Sequence, residues 1–333
     1  MKKFIATCGL VLMACTGEAP SSPPDGPLQP PDGPRQPPVD APTSSPDPIA
    51  RGKYLVQNVS GCVGCHTPRL PSGALDQTKL LSGVECFLDT SPTDDTKGCL
   101  NSGNLTNHPT GLATRSDAEI INMFQNGLRP DGTALFAQMP YWVYHNVTSD
   151  DAMAIVKYLR SVPGVDHTLP PNQAPFTTRP ASPAAPLADT DIPQPTVADA
   201  STKNGRYLVA MAGRCILCHT AQTNAQNPRS LNVAKMLAGG RSFPGKAPLP
   251  AKIYTTNLTP DTTGLADYTA EQIKAVLKTG LDKDGKGVCR PMPGGPMSEY
   301  GGLSDSDALD IGKYLKALTP VANAIPNQCT AAP

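Results

Sequence analysis

Aromatic side chains, net charge and long apolar runs are all scarce in this 333-residue chain. Aromatics make up 5% of it, with a single tryptophan, and hydrophobic residues of every kind reach only 39%. Lysine plus arginine and aspartate plus glutamate each number 28, so the formal charge is zero, and no basic run or stripe occurs. That excludes the electrostatic footprint of a nucleic-acid binder. The apolar stretch from Phe4 to Ala14 is well short of the roughly 20 residues that a membrane-spanning helix needs. Strand-like alternation is nearly absent as well. Glycine and proline are abundant instead, at 29 and 38 residues, well above their usual combined share of about 12%. Much of the length therefore reads as linker. The remaining cores must be small, and something besides leucine and phenylalanine has to help fill them.

The N-terminus reads as an export segment. Lys2 and Lys3 precede the apolar stretch, which has the length of a signal-peptide core. It ends in Leu12-Met13-Ala14-Cys15, which resembles a bacterial lipobox, with Cys15 as the residue to be lipidated; ordinary signal cleavage nearby is the alternative. Thr16 follows, and the lack of aspartate there resembles lipoproteins sorted to the outer membrane, facing the periplasm. Several acyl chains together anchor firmly, whereas one holds only marginally. Residues 16–49 contain twelve prolines among Ser, Asp and Gly. Without apolar periodicity such a segment stays an extended tether, with a reach on the order of 100 Å in polyproline II. A second proline-rich stretch, Pro163 to Ala200, divides the rest in two.

The two parts repeat each other. Cys62-Val63-Gly64-Cys65-His66 and Cys215-Ile216-Leu217-Cys218-His219 lie 153 residues apart. The same offset relates Tyr54-Leu55-Val56 to Tyr207-Leu208-Val209, Asn104-Leu105-Thr106 to Asn257-Leu258-Thr259, and Met139-Pro140 to Met292-Pro293. Beyond Met292 the offset becomes 156, matching Lys157-Tyr158-Leu159 to Lys313-Tyr314-Leu315. Such self-similarity marks two copies of one small unit. Each copy reads as helical. A first helix around 49–59, or 203–211, leads into the cysteine pair. A middle helix starts at the capping boxes Ser116–Glu119 and Thr269–Gln272, and a final helix follows Thr148 or Ser304. The expected organisation is a signal peptide over 1–14, a disordered tether over 15–48, a first domain over 49–162, a linker over 163–200 and a second domain over 201–330.

Cys-x-x-Cys-His is the attachment signature of c-type haem. Thiols at i and i+3 share one side of a helical turn, spaced to form thioethers with two vinyl groups. The histidine then comes under the iron, its other ring nitrogen available to a carbonyl that fixes the ring. Cys62, Cys65 and His66, with Cys215, Cys218 and His219, therefore imply two covalently bound haem c groups. A disulfide and zinc are the alternatives; zinc needs a fourth ligand at similar spacing that neither copy supplies. The sixth iron ligand is expected from the register-matched Met139 and Met292, with Met297 as a rival in the second copy. A thioether there favours reduced iron. Of the remaining cysteines, Cys86, Cys99, Cys289 and Cys329 allow three pairings. Cys86–Cys99 with Cys289–Cys329 keeps each bond inside one copy, and free thiols are the alternative.

At these residues the chain resembles dihaem class I cytochromes c, especially the cytochrome c subunits associated with alcohol- and gluconate-type dehydrogenases. The two haem motifs carry the resemblance, with Asn257-Leu258-Thr259-Pro260-Asp261-Thr262-Thr263-Gly264-Leu265, Asp131-Gly132 before Met139-Pro140, and Asp307 to Tyr314-Leu315. It covers about 50–162 and 203–320. It implies an all-α fold, two tandem class I cytochrome c-like domains joined by the proline-rich linker. It also implies His/Met-ligated haems that carry single electrons between periplasmic redox proteins, a dehydrogenase among the candidate partners, rather than an enzyme. A dihaem peroxidase with one open haem and a haem-based sensor are the competing classes.

Overall fold

Asp47 opens the first helix, its carboxylate accepting the backbone N–H groups of Ile49 and Ala50, with a proline at the first helical position. The computed structural model describes residues 47–89, 98–224, 227–244, 252–289, 292, 294–295 and 298–326. Cys15, the expected tether as far as residue 46, Met297 and Cys329 lie outside the described residues; the tether's last two residues instead open α1, and no described helix is long and apolar enough to cross a membrane. Helix α1 (Pro48–Tyr54) runs into a π-helical turn, Leu55–Val59, and then α2 (Cys62–His66). An antiparallel ribbon comes next, β1 (Val84–Asp89) with β2 (Cys99–Ser102). After it come α3 (Asp117–Asn126), the short α4 (Tyr141–Tyr144) and α5 (Ser149–Ser161).

The second copy retraces this order. Helix α6 (Ala200–Arg206) enters a π-helical turn over Tyr207–Met211 and leads to α7 (Cys215–Cys218). The ribbon β3 (Ser242–Pro244) with β4 (Lys252–Tyr254) precedes α8 (Ala270–Thr279), a 3₁₀ turn at Tyr300–Gly302 and α9 (Asp305–Lys316). Both capping boxes form as the sequence predicts, and both middle helices end on a left-handed glycine, Gly127 and Gly280. The fold is mainly helical, as expected, but the all-α expectation needs one correction: each copy also holds a two-stranded ribbon. These strands are three to six residues long, too short to show a period-2 pattern. The sequence likewise predicts one continuous helix over 49–59, whereas its last five residues widen into the π turn.

The first and last helices of each copy cross in close contact. A Cβ on Gly52 would overlap the Ala154 carbonyl of α5, and one on Gly205 would overlap the equivalent Asp310 carbonyl of α9. Only glycine lets the backbones approach this closely. Around the crossings lie Leu55, Val56, Ile155 and Val156 in the first copy, and Leu208, Val209, Ile311 and Tyr314 in the second, all buried. Burial of each aliphatic side chain contributes about 1.5–3 kcal/mol.

Residues 163–200, expected as a spacer, lie along both copies. Leu187 donates its N–H to the Trp142 carbonyl, and Gln173 donates to that of Cys99. On the other side the buried Arg206 side chain donates to Asp189 Oδ1 and to the Asp189 and Ile192 carbonyls, while Tyr314 donates to the Pro193 carbonyl. Phe176, Leu187 and Ile192 are buried. Proline supplies extended backbone at low entropic cost, and side-chain donors from the copies satisfy its carbonyls. The described residues from 47 onward belong to one compact unit.

Candidate functional site

Each π turn and the short helix after it place one cysteine pair and one histidine against the core. The π turn buries Leu55, Val56 and Val59 in the first copy and all of Tyr207–Met211 in the second. Such turns concentrate at functional sites because the widened backbone re-aims the residues after it. Gly61, at φ 65°, reverses the chain into Cys62. In the second copy the His219 N–H donates to the Cys215 carbonyl, closing the turn that brings the imidazole beneath the cysteines.

The histidines are held alike. His66 Nδ1 lies 2.7 Å from the Gly103 carbonyl oxygen, and His219 Nδ1 lies 2.8 Å from that of Thr256. A carbonyl can only accept, so Nδ1 carries the proton and Nε2 presents its lone pair. Burial lowers both imidazole pKa values despite these bonds, which keeps the rings neutral. Burial also pushes the Cys62 thiol up to about 12, against the opposing pull of Arg214, and the Cys215 thiol up to about 11. None of the four motif cysteines is disulfide-bonded in this structure. A neutral imidazole fixed at Nδ1 by a carbonyl, directly after two cysteines at i and i+3, is the arrangement that a c-type haem site uses. Among the described residues no cluster of three or more His, Cys, Asp or Glu is placed to hold a metal ion.

The wall around each histidine is duplicated in detail. The His66 and His219 carbonyls accept the Gly83 and Gly239 N–H groups, and Thr67 and Thr220 hydroxyls accept those of Leu81 and Leu237. Leu81 and Leu237 have φ of 61° and 62°, a strained conformation for a branched aliphatic residue, and both are fully buried. Sequence reasoning missed this pair, although Leu81-Ser82-Gly83 and Leu237-Ala238-Gly239 stand in register. Asn104 Oδ1 accepts from the Thr106 backbone and hydroxyl while its amide donates to Thr110 and the Val165 carbonyl; Asn257 repeats this with Thr259, Thr263 and Val321. These asparagines order the loop and tie it to the chain beyond the final helix.

Met139 and Met292 are both partly buried against the core. Met139 sits in a tight turn, donating its N–H to the Phe136 carbonyl and accepting from Tyr141 at the start of α4. Met292 N–H donates to the Cys289 carbonyl. Cys289 is disulfide-bonded, and its expected partner Cys329 lies outside the described residues. Cys99 is a buried free thiol, so the expected Cys86–Cys99 bond is not made in this structure. The ribbon register explains why: Cys99 pairs with Asp89, three residues along β1 from Cys86.

The two sites meet across a pseudo-two-fold interface. Tyr54 of the first copy donates to Asp307 Oδ2 of the second at 2.6 Å, and Tyr207 of the second donates to Asp151 Oδ2 of the first at 2.6 Å. Each tyrosine oxygen also accepts the backbone N–H of a helix-capping residue opposite, Ser304 for Tyr54 and Thr148 for Tyr207. Within the copies, Arg51 grips Asp151 through two 2.8 Å bonds, and Asn204 at the equivalent position donates to Asp307 at 2.9 Å. On the same interface Arg214 of the second copy reaches Cys65 of the first, its Nη1 lying 3.6 Å from Sγ. Tyr144 and Tyr300, related by the 156 offset, are buried beside the two motifs.

No family model matches the chain. Individual proteins do. The chain is 28% identical over 284 residues to the alcohol dehydrogenase (quinone) cytochrome c subunit of Gluconacetobacter polyoxogenes, covering 82% of this chain and 56% of that protein. It is 28% identical over 302 residues to the fructose dehydrogenase cytochrome subunit of Gluconobacter japonicus, covering 85% and 55%. The chain thus spans about half the length of those two curated relatives. A dihaem cytochrome c-type protein of Cereibacter sphaeroides is 26% identical over 276 residues, covering 78% of this chain and 83% of its own length. Over most of its length, then, this chain is a homologue of the cytochrome c subunits of alcohol and fructose dehydrogenases and of a dihaem c-type cytochrome.

Proposed function

We propose that the chain is an exported dihaem c-type cytochrome that carries single electrons between redox proteins. The observation that carries this reading is the duplicated histidine, fixed at Nδ1 by a backbone carbonyl and set at the end of a Cys-x-x-Cys turn. In it, Cys62 and Cys65 hold one haem and Cys215 and Cys218 the other, with His66 and His219 as proximal ligands. Met139 and Met292 would supply the second iron ligands. Bound haem supplies one-electron chemistry at its iron; the polypeptide supplies neutral donors, an apolar wall and exclusion of water. Were His66 with Met139, and His219 with Met292, to hold the two irons, no position would remain for a substrate, and this separates a carrier from a peroxidase or sensor.

Cys15 carries the lipid anchor in this reading, the proline-rich segment spaces the redox unit from the outer membrane, and Cys289–Cys329 pins the tail. The partner is a periplasmic dehydrogenase or an acceptor downstream of it, consistent with what the relatives' names describe. The zero formal charge predicts short-lived docking with little salt dependence. The test is the far-red Met–iron band of the oxidised protein. It should account for two haems, and Met139→Ala or Met292→Ala should each remove half of it while haem content stays at two. High-spin haem in the wild type overturns the carrier reading. A spectrum that changes with Met297→Ala and not with Met292→Ala moves the second ligand.

A further inference from the structure

We infer that Arg214 of the second copy and Glu299 are paired positioning residues beside the haem attached to Cys62 and Cys65 of the first copy, each offsetting the shift that the other alone would impose on its reduction potential. The inference rests on the dihaem reading above and adds a coupling between the copies that neither motif encodes alone.

The pseudo-two-fold interface is symmetric in its tyrosines and aspartates but not here. Arg214 stands immediately before Cys215, and the equivalent residue of the first copy is Gly61. The two positions face each other, since a Cβ on Gly61 would overlap the Arg214 guanidinium. Two arginines at this point would oppose like charges, and two glycines would leave a void, so one of each fills it. Arg214 Nη2 donates to Glu299 Oε2 at 2.7 Å, and the two side chains are 23% and 9% exposed. Glu299 is itself pressed against the first motif, because a Cβ on Gly64 would overlap its Oε1. The residue equivalent to Glu299 in the first copy is Val143, so no matching carboxylate approaches the second motif from that position.

A buried ion pair of this kind is seldom a source of stability, since desolvation offsets much of the attraction. Each of its charges also acts on a neighbouring redox centre. Ferric haem carries one more positive charge than ferrous, so a nearby cation favours reduction and a nearby anion opposes it. A full charge about 10 Å away at an effective dielectric of about 20 changes the reduction equilibrium roughly tenfold. For a one-electron couple, tenfold corresponds to about 59 mV. With the pair intact the two charges oppose each other; removing either one exposes the other.

The test is a spectroelectrochemical titration of the full-length, haem-loaded protein. Arg214→Met leaves the Glu299 carboxylate unbalanced and should make the first haem roughly tenfold harder to reduce. Glu299→Gln leaves the guanidinium unbalanced and should make it roughly tenfold easier. The double variant should return close to wild type, Arg214→Lys should stay near it, and the second wave should move less throughout. A role confined to packing moves both single variants the same way, and that result overturns the inference. So do shifts below about threefold with haem content and the Met–iron band unchanged, or an Arg214→Lys shift as large as that of Arg214→Met. Where Arg214→Met fails to fold, the upward shift of Glu299→Gln decides alone. A wild-type chain without two haems refutes the dihaem reading and this inference together, whereas two normal haems with unmoved waves refute this inference only.

Discussion

Tyr207→Phe removes one hydroxyl from the interface between the copies, and its cost depends on what that oxygen does. It donates to Asp151 Oδ2 at 2.6 Å, and Asp151 is 4% exposed. A hydrogen bond to a charged group contributes about 1.5–3 kcal/mol. Asp151 keeps both bonds from Arg51 after the substitution, so the carboxylate is not orphaned and the loss should fall near the lower end, about 2 kcal/mol. Tyr54→Phe should cost less, about 1 kcal/mol. Its partner Asp307 is more exposed and retains the Asn204 amide. The assay is equilibrium urea unfolding of the haem-loaded protein, monitored by far-ultraviolet circular dichroism and by haem absorbance. The midpoint should fall while the denaturant slope stays the same. A loss below about 0.5 kcal/mol for Tyr207→Phe, or a larger loss for Tyr54→Phe, would refute the reasoning from burial and partner count.

The same hydroxyls set an alkaline limit. Burial first, and then the facing aspartates, raise both tyrosine pKa values above the ordinary 10. The native state therefore holds these protons when the unfolded chain has lost them, so their contribution is complete below pH 10 and declines as pH rises beyond it. The stability–pH curve above 10 should flatten in the Tyr54→Phe/Tyr207→Phe variant; an unchanged slope contradicts this. Gly205→Ala should destabilise by about 1 kcal/mol, and by no more than about 2, in thermal melts. Overlap with the Asp310 carbonyl forces α6 and α9 apart at a cost of about 1–3 kcal/mol, and the helix-propensity gain of about 1 kcal/mol offsets only part of it. Stabilisation by this substitution would show that the helices tolerate separation.

The candidate site's geometry was legible wherever it is local. A Cys-x-x-Cys-His turn needs only five consecutive residues, and the carbonyl expected to fix its imidazole is present in both copies. Capping boxes are equally local, and both formed where Ser116–Glu119 and Thr269–Gln272 predicted them. What could not be read depends on contacts between distant segments. Tyr54 and Asp307 are 253 residues apart, and their repetition as Tyr207 and Asp151 gains meaning only once the copies face each other. Arg214 reads as an ordinary residue before a motif, because its partner is the space left by Gly61. The π turns escaped notice since Leu55–Val59 and Tyr207–Met211 suit an α-helix equally well by composition. The segment 163–200 read as a spacer because its anchors, Trp142, Arg206 and Tyr314, belong to the copies and not to itself.

Intact and peptide mass spectrometry of the exported protein tests the central claim most directly. Two covalent haem adducts should appear, one on the peptide holding Cys62 and Cys65 and one on that holding Cys215 and Cys218. A chain that leaves the cell's cytoplasm with those four thiols unmodified, or joined as disulfides, contradicts it.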